Sequence, residues 1–191
     1  MHPAFSVIFF TVTSGAGYGM MSLLVLMSIF GFGPAIGTEE TWVVGMGSLA
    51  LITAGLISST MHLANPKNAW RAFNRFRTSW LSREGVFAVL FYPFALLYMV
   101  VFHYNHGEHS GLSQLLGLFT IALAVITVFS TGMIYGCLKT IRQWNSALTP
   151  TNYIALGFAV GGVMVLAALD AMGVEIPSSA TLAVLIIVIA T

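Results

Sequence analysis

The sequence predicts an all-α protein, a polytopic bundle of transmembrane helices that forms a single integral-membrane domain. Of its 191 residues, 58% are hydrophobic and 7% are charged, whereas about 25% of the residues in soluble domains are charged. The charges fall in short clusters and leave long uncharged runs, such as residues 1–38 and 109–138. Runs of this length are typical of helices that cross a bilayer, which excludes a water-soluble globule.

Five segments have the length and composition of a spanning helix, and turns containing glycine or proline separate them. They are residues 5–30, 42–63, 86–102, 112–138 and 153–172. A sixth apolar segment begins near Ser179 and reaches Thr191, which is too short to cross a hydrocarbon core about 30 Å thick. We expect this segment to be re-entrant or to begin a longer helix, with the domain over residues 1–191 incomplete at its C-terminus.

The loops between the spans divide by charge. If the N-terminus defines side A, all seven Lys and Arg residues lie in the A-side loops over residues 64–84 and 139–151. The B-side loops contain only acidic charges: Glu39, Glu40, Glu108, Asp170 and Glu175. Basic loops remain in the cytoplasm. The sequence therefore predicts a multi-pass protein of a bacterial inner membrane, with its N-terminus and basic loops in the cytoplasm.

Several classes of function are excluded by composition. The net charge of +1 gives no field that would attract nucleic acid. The lone Cys137 allows neither a disulfide within the chain nor an iron–sulfur cluster held by it. Only His62 and His103 lie at span ends, on opposite sides of the membrane, so no haem is expected. His103, His106 and His109 are predicted to lie in a solvated loop and not to bind metal.

The A-side loop over residues 64–84 predicts an amphipathic helix in the membrane interface. One helical face would carry Ala69, Trp70, Phe73, Phe76 and Trp80, and the opposite face Arg71 and Arg75. The simpler interpretation is an anchor that obeys the positive-inside rule. The alternative is a surface on which a partner protein docks, formed by Arg71, Arg75, Arg77 and Arg83.

His62 and Glu84 bracket this loop at the ends of the second and third spans. Ionisable groups at such depth are costly and suggest a function. Proton exchange by a histidine and a carboxyl suits quinone chemistry, because each two-electron step also moves two protons. Tyr135 and Thr131 are candidates for the same quinone pocket. Alternatively, a backbone carbonyl satisfies His62, the helix dipole favours Glu84, and Tyr135 belongs to an aromatic belt.

Three pairs of small residues spaced four apart predict close helix packing. They are Gly15 with Gly19, Gly132 with Gly136, and Gly157 with Gly161. The first pair follows no predicted strand and does not match the dinucleotide-binding fingerprint, so nucleotide binding is not expected.

One motif begins with His62-Leu-x-x-Pro66 and continues with Asn74, Arg75, Ser79, Leu81, Ser82 and Glu84. This motif resembles the membrane-anchor family of dimethyl sulfoxide reductase and related molybdopterin oxidoreductases. Residues 2–11 and 138–150 also resemble this family, especially its sulfite dehydrogenase branch. The resemblance implies an eight-helix anchor without haem that binds ubiquinone or menaquinone. Its implied partners are an iron–sulfur subunit and a molybdopterin catalytic subunit, which hold the clusters and the molybdenum cofactor. The family's quinol-site histidine and glutamate match His62 and Glu84.

The predicted sidedness is opposite to that of the reductase branch, whose catalytic subunits face the periplasm. We therefore expect a cytoplasm-facing complex that oxidises sulfite to sulfate, while this chain is not catalytic for the main substrate. The alternative within the family is the anchor of a terminal reductase that oxidises menaquinol. A small transporter is a different-class alternative, but transporters carry charges deep within their spans. A purely structural anchor without a quinone site is the third possibility.

Overall fold

The all-α prediction is confirmed by a computed structural model, which describes residues 3–60, 70 and 73–191. Six α-helices follow one another in this part of the chain, which contains no β-strand. They are α1 (Pro3–Phe30), α2 (Thr38–Thr60), α3 (Trp80–Tyr104), α4 (Gly111–Gly136), α5 (Leu148–Ala171) and α6 (Ser178–Ala190). Helices α1 to α5 are long and apolar enough to cross a membrane, whereas α6 is shorter.

Three helices begin at least about four residues earlier than predicted, because polar residues that resemble a loop in sequence form their first turns. α2 begins at Thr38 and not at Trp42, and its first turn contains two glutamates, which the positive end of the helix dipole favours. α3 begins at Trp80, where Ser79 accepts a hydrogen bond from the Ser82 amide at 3.4 Å. α5 begins at Leu148 with Pro150 in its first turn, where proline is tolerated.

The loop between α2 and α3 differs from the predicted interfacial helix. Residues 73–75 form a short 3₁₀ turn, residues 76–78 form a further turn, and Trp80 already belongs to α3. The prediction of one helix that continues through Trp80 is therefore wrong for the described residues. Residues 61–69 and 71–72, which include His62 and Arg71, lie outside the described part of the chain. The interfacial position of this loop remains a prediction.

Helix α1 is at the centre of the bundle and packs against α2, α4 and α5, while α3 packs mainly against α4. The predicted glycine pairs lie where helices approach most closely. A Cβ atom on Gly19 would lie 2.0 Å from the carbonyl oxygen of Gly157, and one on Gly161 would lie 2.3 Å from the Met20 amide nitrogen. Gly132 similarly faces the backbone of Pro150. These contacts join α1 to α5 and α4 to α5.

On side B, the turn between α3 and α4 is tied to the end of α1. His109 Nε2 lies 3.0 Å from the Ser28 hydroxyl and 2.9 Å from its carbonyl oxygen. Its ring also packs against Phe102, with 4.8 Å between centroids. His103 instead packs against Trp42. Within the described residues, no three His, Cys, Asp or Glu side chains are grouped as metal ligands.

Candidate quinone site

Glu84 is a buried carboxylate near the A-side end of the bundle. It lies in the second turn of α3, and 4% of its surface is exposed. The Thr131 hydroxyl on α4 donates a hydrogen bond to Glu84 Oε1. In the described part of the chain no cationic side chain pairs with this carboxylate. A buried carboxyl without a counter-charge is suited to taking up and releasing a proton.

The Thr131 hydroxyl has two acceptors, and this arrangement suits both protonation states of Glu84. Besides Glu84, it contacts the carbonyl oxygen of Thr127 at 3.1 Å. When Glu84 is ionised, Thr131 donates its hydrogen to the carboxylate. When Glu84 is protonated, the carboxyl can donate to Thr131 Oγ1 while Thr131 donates to Thr127. A hydroxyl serves as donor and acceptor together, so Thr131 can stay hydrogen-bonded to Glu84 in both protonation states without movement of the backbone.

Thr131 also lines a cavity of about 320 Å³ between α1, α4 and α5. Its other walls include Thr11, Ser14, Val128, Tyr153 and Leu156. The volume lies within the range of about 300–1,000 Å³ that small-molecule sites occupy. Leu156 is 53% exposed, so the cavity has an apolar rim on the lateral surface of the bundle. The cavity therefore opens toward the side of this bundle.

A second cavity, of about 510 Å³, shares Thr11 and Tyr153 with the first and adds Tyr135, Trp144 and Thr149. Three aromatic rings form its wall. Tyr135 stacks on Tyr153 with 5.7 Å between centroids, and it meets Trp144 edge to face at 5.5 Å. In the loop between α4 and α5, the Asn145 side-chain amide donates a hydrogen bond to the Gly136 carbonyl at 2.8 Å, which holds the loop in place. The two cavities together form a mostly apolar cleft with aromatic walls, which suits a planar ring with an isoprenoid tail.

Tyrosines from three helices lie within electrostatic range of the Glu84 carboxyl. Tyr18 on α1, Tyr135 on α4 and Tyr153 on α5 all interact electrostatically with it. The Tyr18 hydroxyl is buried, lies near the Thr127 side chain, and makes no hydrogen bond within the described residues. Farther along α3, Tyr92 contacts the Thr53 hydroxyl at 2.7 Å. Tyr135 and Tyr153 thus line the cleft, whereas Tyr18 is buried within the bundle.

The structure brings together three of the four predicted quinone-site residues. Glu84 and Thr131 are in contact, and Tyr135 lines the adjoining cavity. His62 lies outside the described residues, so its part in the site remains a prediction. Sequence reasoning missed Tyr18 and Tyr153. The sequence places Tyr153 only at the start of the fifth span. Its position on side A, which Tyr135 shares, was the signal that could have identified it as a candidate for the site.

The arginines predicted to dock a partner differ in their surroundings. Arg75 and Arg77 are exposed, whereas Arg71 lies outside the described residues. Arg83 donates through Nε to the Phe76 carbonyl at 3.0 Å and through Nη2 to the Arg77 carbonyl at 2.9 Å. Its guanidinium also lies 4.2 Å from the centre of the Trp80 ring. Arg83 thus stabilises the turn that leads into α3.

Comparison with known proteins shows the family to which the chain is related. One subunit of the sulfite dehydrogenase of Allochromatium vinosum is 35% identical over 183 residues, which make up 90% of this chain and 56% of that protein. One polypeptide of the anaerobic dimethyl sulfoxide reductase of Escherichia coli is 26% identical over 170 residues, or 87% of this chain and 58% of that protein. The corresponding polypeptide of the anaerobic dimethyl sulfoxide reductase of Haemophilus influenzae is 28% identical over 115 residues, or 60% of this chain and 40% of that protein.

The chain spans about half the length of the curated relatives it matches. No solved structure matches it significantly. A family model described as DMSO reductase anchor subunit (DmsC) matches residues 1–191, which is the whole of the sequence. Together with the five apolar spans, this match shows an integral membrane protein. The chain belongs to the DMSO reductase anchor subunit family.

Proposed function

We propose that this chain is the quinone-reactive membrane subunit of a molybdopterin and iron–sulfur oxidoreductase. The observation that carries the proposal is the double role of Thr131, which lines the cavity and bonds to the buried Glu84. Glu84 and Thr131 thus place a proton acceptor beside a cleft of suitable size and polarity. Membership of the anchor family supports the same assignment, because an anchor subunit implies partner subunits that carry out the substrate chemistry.

Quinone reduction consumes two electrons and two protons. We infer that the electrons come from an iron–sulfur cluster of the partner subunit and that this chain supplies protons. Thr131 Oγ1 would donate its hydrogen to one oxygen of the bound ring and receive the proton of Glu84 in return, while His62 would donate the second proton to the other oxygen. Tyr153 and Tyr135, whose hydroxyls make no hydrogen bond within the described residues, hold the ring in the cleft. Quinol oxidation would use the same groups in reverse.

The favoured substrate reaction is oxidation of sulfite to sulfate by the molybdopterin subunit on the cytoplasmic side. It is supported by the basic A-side loops and by the 35% identity with a sulfite dehydrogenase subunit over 90% of this chain. The exposed Arg75, together with Arg71, is proposed to contact the iron–sulfur subunit. Docking on side A would place the partner's cluster at the end of the bundle that holds Glu84.

Orientation in the inner membrane can be tested with reporter fusions. We expect a reporter that is active only in the periplasm to work when fused after Glu108, on side B. The same reporter fused after Asn145, on side A, should be inactive. The reason is the retention of basic loops in the cytoplasm. Equal or reversed activities would contradict the cytoplasmic assignment and favour a periplasmic terminal reductase.

The role of Thr131 is tested by removing its hydroxyl without changing its size. We expect Thr131→Val to lower quinone-linked turnover by about 100-fold, at the lower end of what a positioned proton-transfer group contributes. Thr131→Ser should restore most of the rate. Thr120→Val is the matched control, because Thr120 is a buried threonine of the same helix whose hydroxyl donates, among the described residues, to the Leu116 carbonyl alone. Equal rates in Thr131→Val and Thr120→Val would overturn the proposal for Thr131.

A further inference from the structure

A separate cavity lies on the opposite face of α4 from the quinone cleft. Its volume is about 460 Å³, and it is bounded by the turn before α3, the first turns of α3, and α4. The α4 residues Ile126, Phe129 and Ser130 line it, whereas Val128 and Thr131 face the quinone cleft. Residues 126, 129 and 130 share one helical face. The two cavities are therefore distinct.

The walls of this cavity are aromatic and aliphatic, and its A-side rim is cationic. Trp80 packs edge to face on Phe129 with 5.9 Å between centroids, and Phe76 packs similarly on Phe87 at 5.6 Å. Arg77 and Arg83 complete the lining. Ile126 lies almost three helical turns before the A-side end of α4, about 15 Å along the helix axis. Since α4 has 26 residues and is longer than a bilayer core about 30 Å thick, the apolar groove reaches about a third of the way across that core.

Arg77 and Arg83, the two arginines at the rim, form no ion pair with a carboxylate among the described residues. Glu84 is the single carboxylate on side A of the sequence, and it is buried against Thr131. Residues 61–69 and 71–72 contain no Asp or Glu. Arg83 uses two of its N–H groups to hydrogen-bond backbone carbonyls of the turn. The other N–H groups of its guanidinium have no protein acceptor in the described residues. The exposed Arg77 and the remaining N–H groups of Arg83 are therefore available to an anion.

We propose that this cavity binds an anionic phospholipid. The phosphate lies against Arg77 and Arg83, and one acyl tail follows Phe87, Ile126 and Phe129 toward the bilayer centre. Basic pockets between helices at the cytoplasmic side suit acidic lipid headgroups, and arginine binds phosphate through paired N–H groups. The depth of the groove favours a lipid over an acidic protein surface, because a protein docked on side A would reach the arginines but not Ile126.

The test is retention of lipid by the purified membrane protein. The protein is reconstituted in nanodiscs of phosphatidylcholine with a minor fraction of phosphatidylglycerol, returned to detergent, and analysed by native mass spectrometry. We expect the wild type to retain phosphatidylglycerol selectively. Arg77→Gln should weaken that retention about fivefold, the effect of losing one cation near an acidic headgroup. Arg142→Gln is the matched control, because Arg142 is an exposed A-side arginine outside the cavity.

A second variant tests the apolar half of the cavity without changing its charge. Ile126→Trp fills the groove and should reduce phosphatidylglycerol retention while both arginines remain. Equal loss in Arg77→Gln and Arg142→Gln would overturn the proposal, because it would show general attraction to a basic surface. Unchanged retention in Ile126→Trp would also overturn it. If Arg77→Gln releases the iron–sulfur subunit and leaves lipid retention unchanged, the rim belongs to a protein interface and the lipid proposal is wrong.

Discussion

Glu84→Gln should lower quinone-linked turnover by about 100-fold or more. The amide keeps the shape of the side chain and can still accept the Thr131 hydrogen bond, but it cannot take up or release the proton. Loss of a positioned acid or base costs about 10²–10⁴-fold in rate. The measurement is quinone reduction by membranes that contain the assembled complex, with the substrate of the catalytic subunit as electron donor.

Two observations separate loss of proton transfer from loss of folding in this variant. Reduction of an artificial dye by the catalytic subunit should stay normal, because that reaction bypasses the membrane subunit. Glu108→Gln, which removes an equal charge from an exposed B-side position, should leave both activities unchanged. A Glu84→Gln complex that reduces quinone at close to the wild-type rate would show that another group supplies the proton.

His62→Ala should also lower quinone-linked turnover by about 100-fold or more, because loss of a positioned acid or base has an effect of this size. In sequence, His62 comes two positions after Thr60, the last residue of α2, and we predict that it lies on the same side of the bundle as Glu84. An imidazole there can hydrogen-bond one oxygen of the ring while Thr131 serves the other. Quinone reduction and dye reduction are compared in the same membranes, and complex assembly is checked by co-purification.

The matched control for His62→Ala is His106→Ala, which removes an exposed histidine from a side-B turn. The control should retain quinone turnover and assembly. If His62→Ala also retains normal quinone turnover, then His62 is structural and the site consists of Glu84, Thr131 and the tyrosines of the cleft. If His62→Ala lowers quinone turnover and also prevents assembly of the complex, then the histidine supports the docking loop, and the quinone role assigned to it is wrong.

The fold was predictable from sequence to the extent that hydropathy determines it. Long apolar runs and the alternation of loop charge predicted five spans in the correct order. The helix ends were less predictable, because polar first turns look like loops: Ser79 and Trp80 were assigned to an interfacial helix, although Ser79 caps α3. That local hydrogen bond, together with the contact of Arg83 with the turn, determines where α3 begins.

The site was only partly predictable for a different physical reason. Helices that are apolar on all sides have no periodic pattern that identifies the face toward a neighbour. Glu84 was recognisable because a carboxyl within an apolar region is rare, and Thr131 and Tyr135 followed from their depth on side A. Tyr18 and Tyr153 reach the site because glycines let α1 approach α5 closely. That crossing depends on tertiary packing, which single-helix periodicity does not determine.

Photolabelling of the assembled complex with an azidoquinone tests most directly whether the cleft between α1, α4 and α5 binds quinone. Labelled peptides are identified by mass spectrometry after irradiation of membranes with and without excess unlabelled quinone. We predict labels on peptides that contain Thr11, Thr131 or Tyr153, and we predict that excess quinone suppresses them. Labels confined to the B-side ends of the helices, or labels that excess quinone does not reduce, would contradict a quinone site beside Glu84.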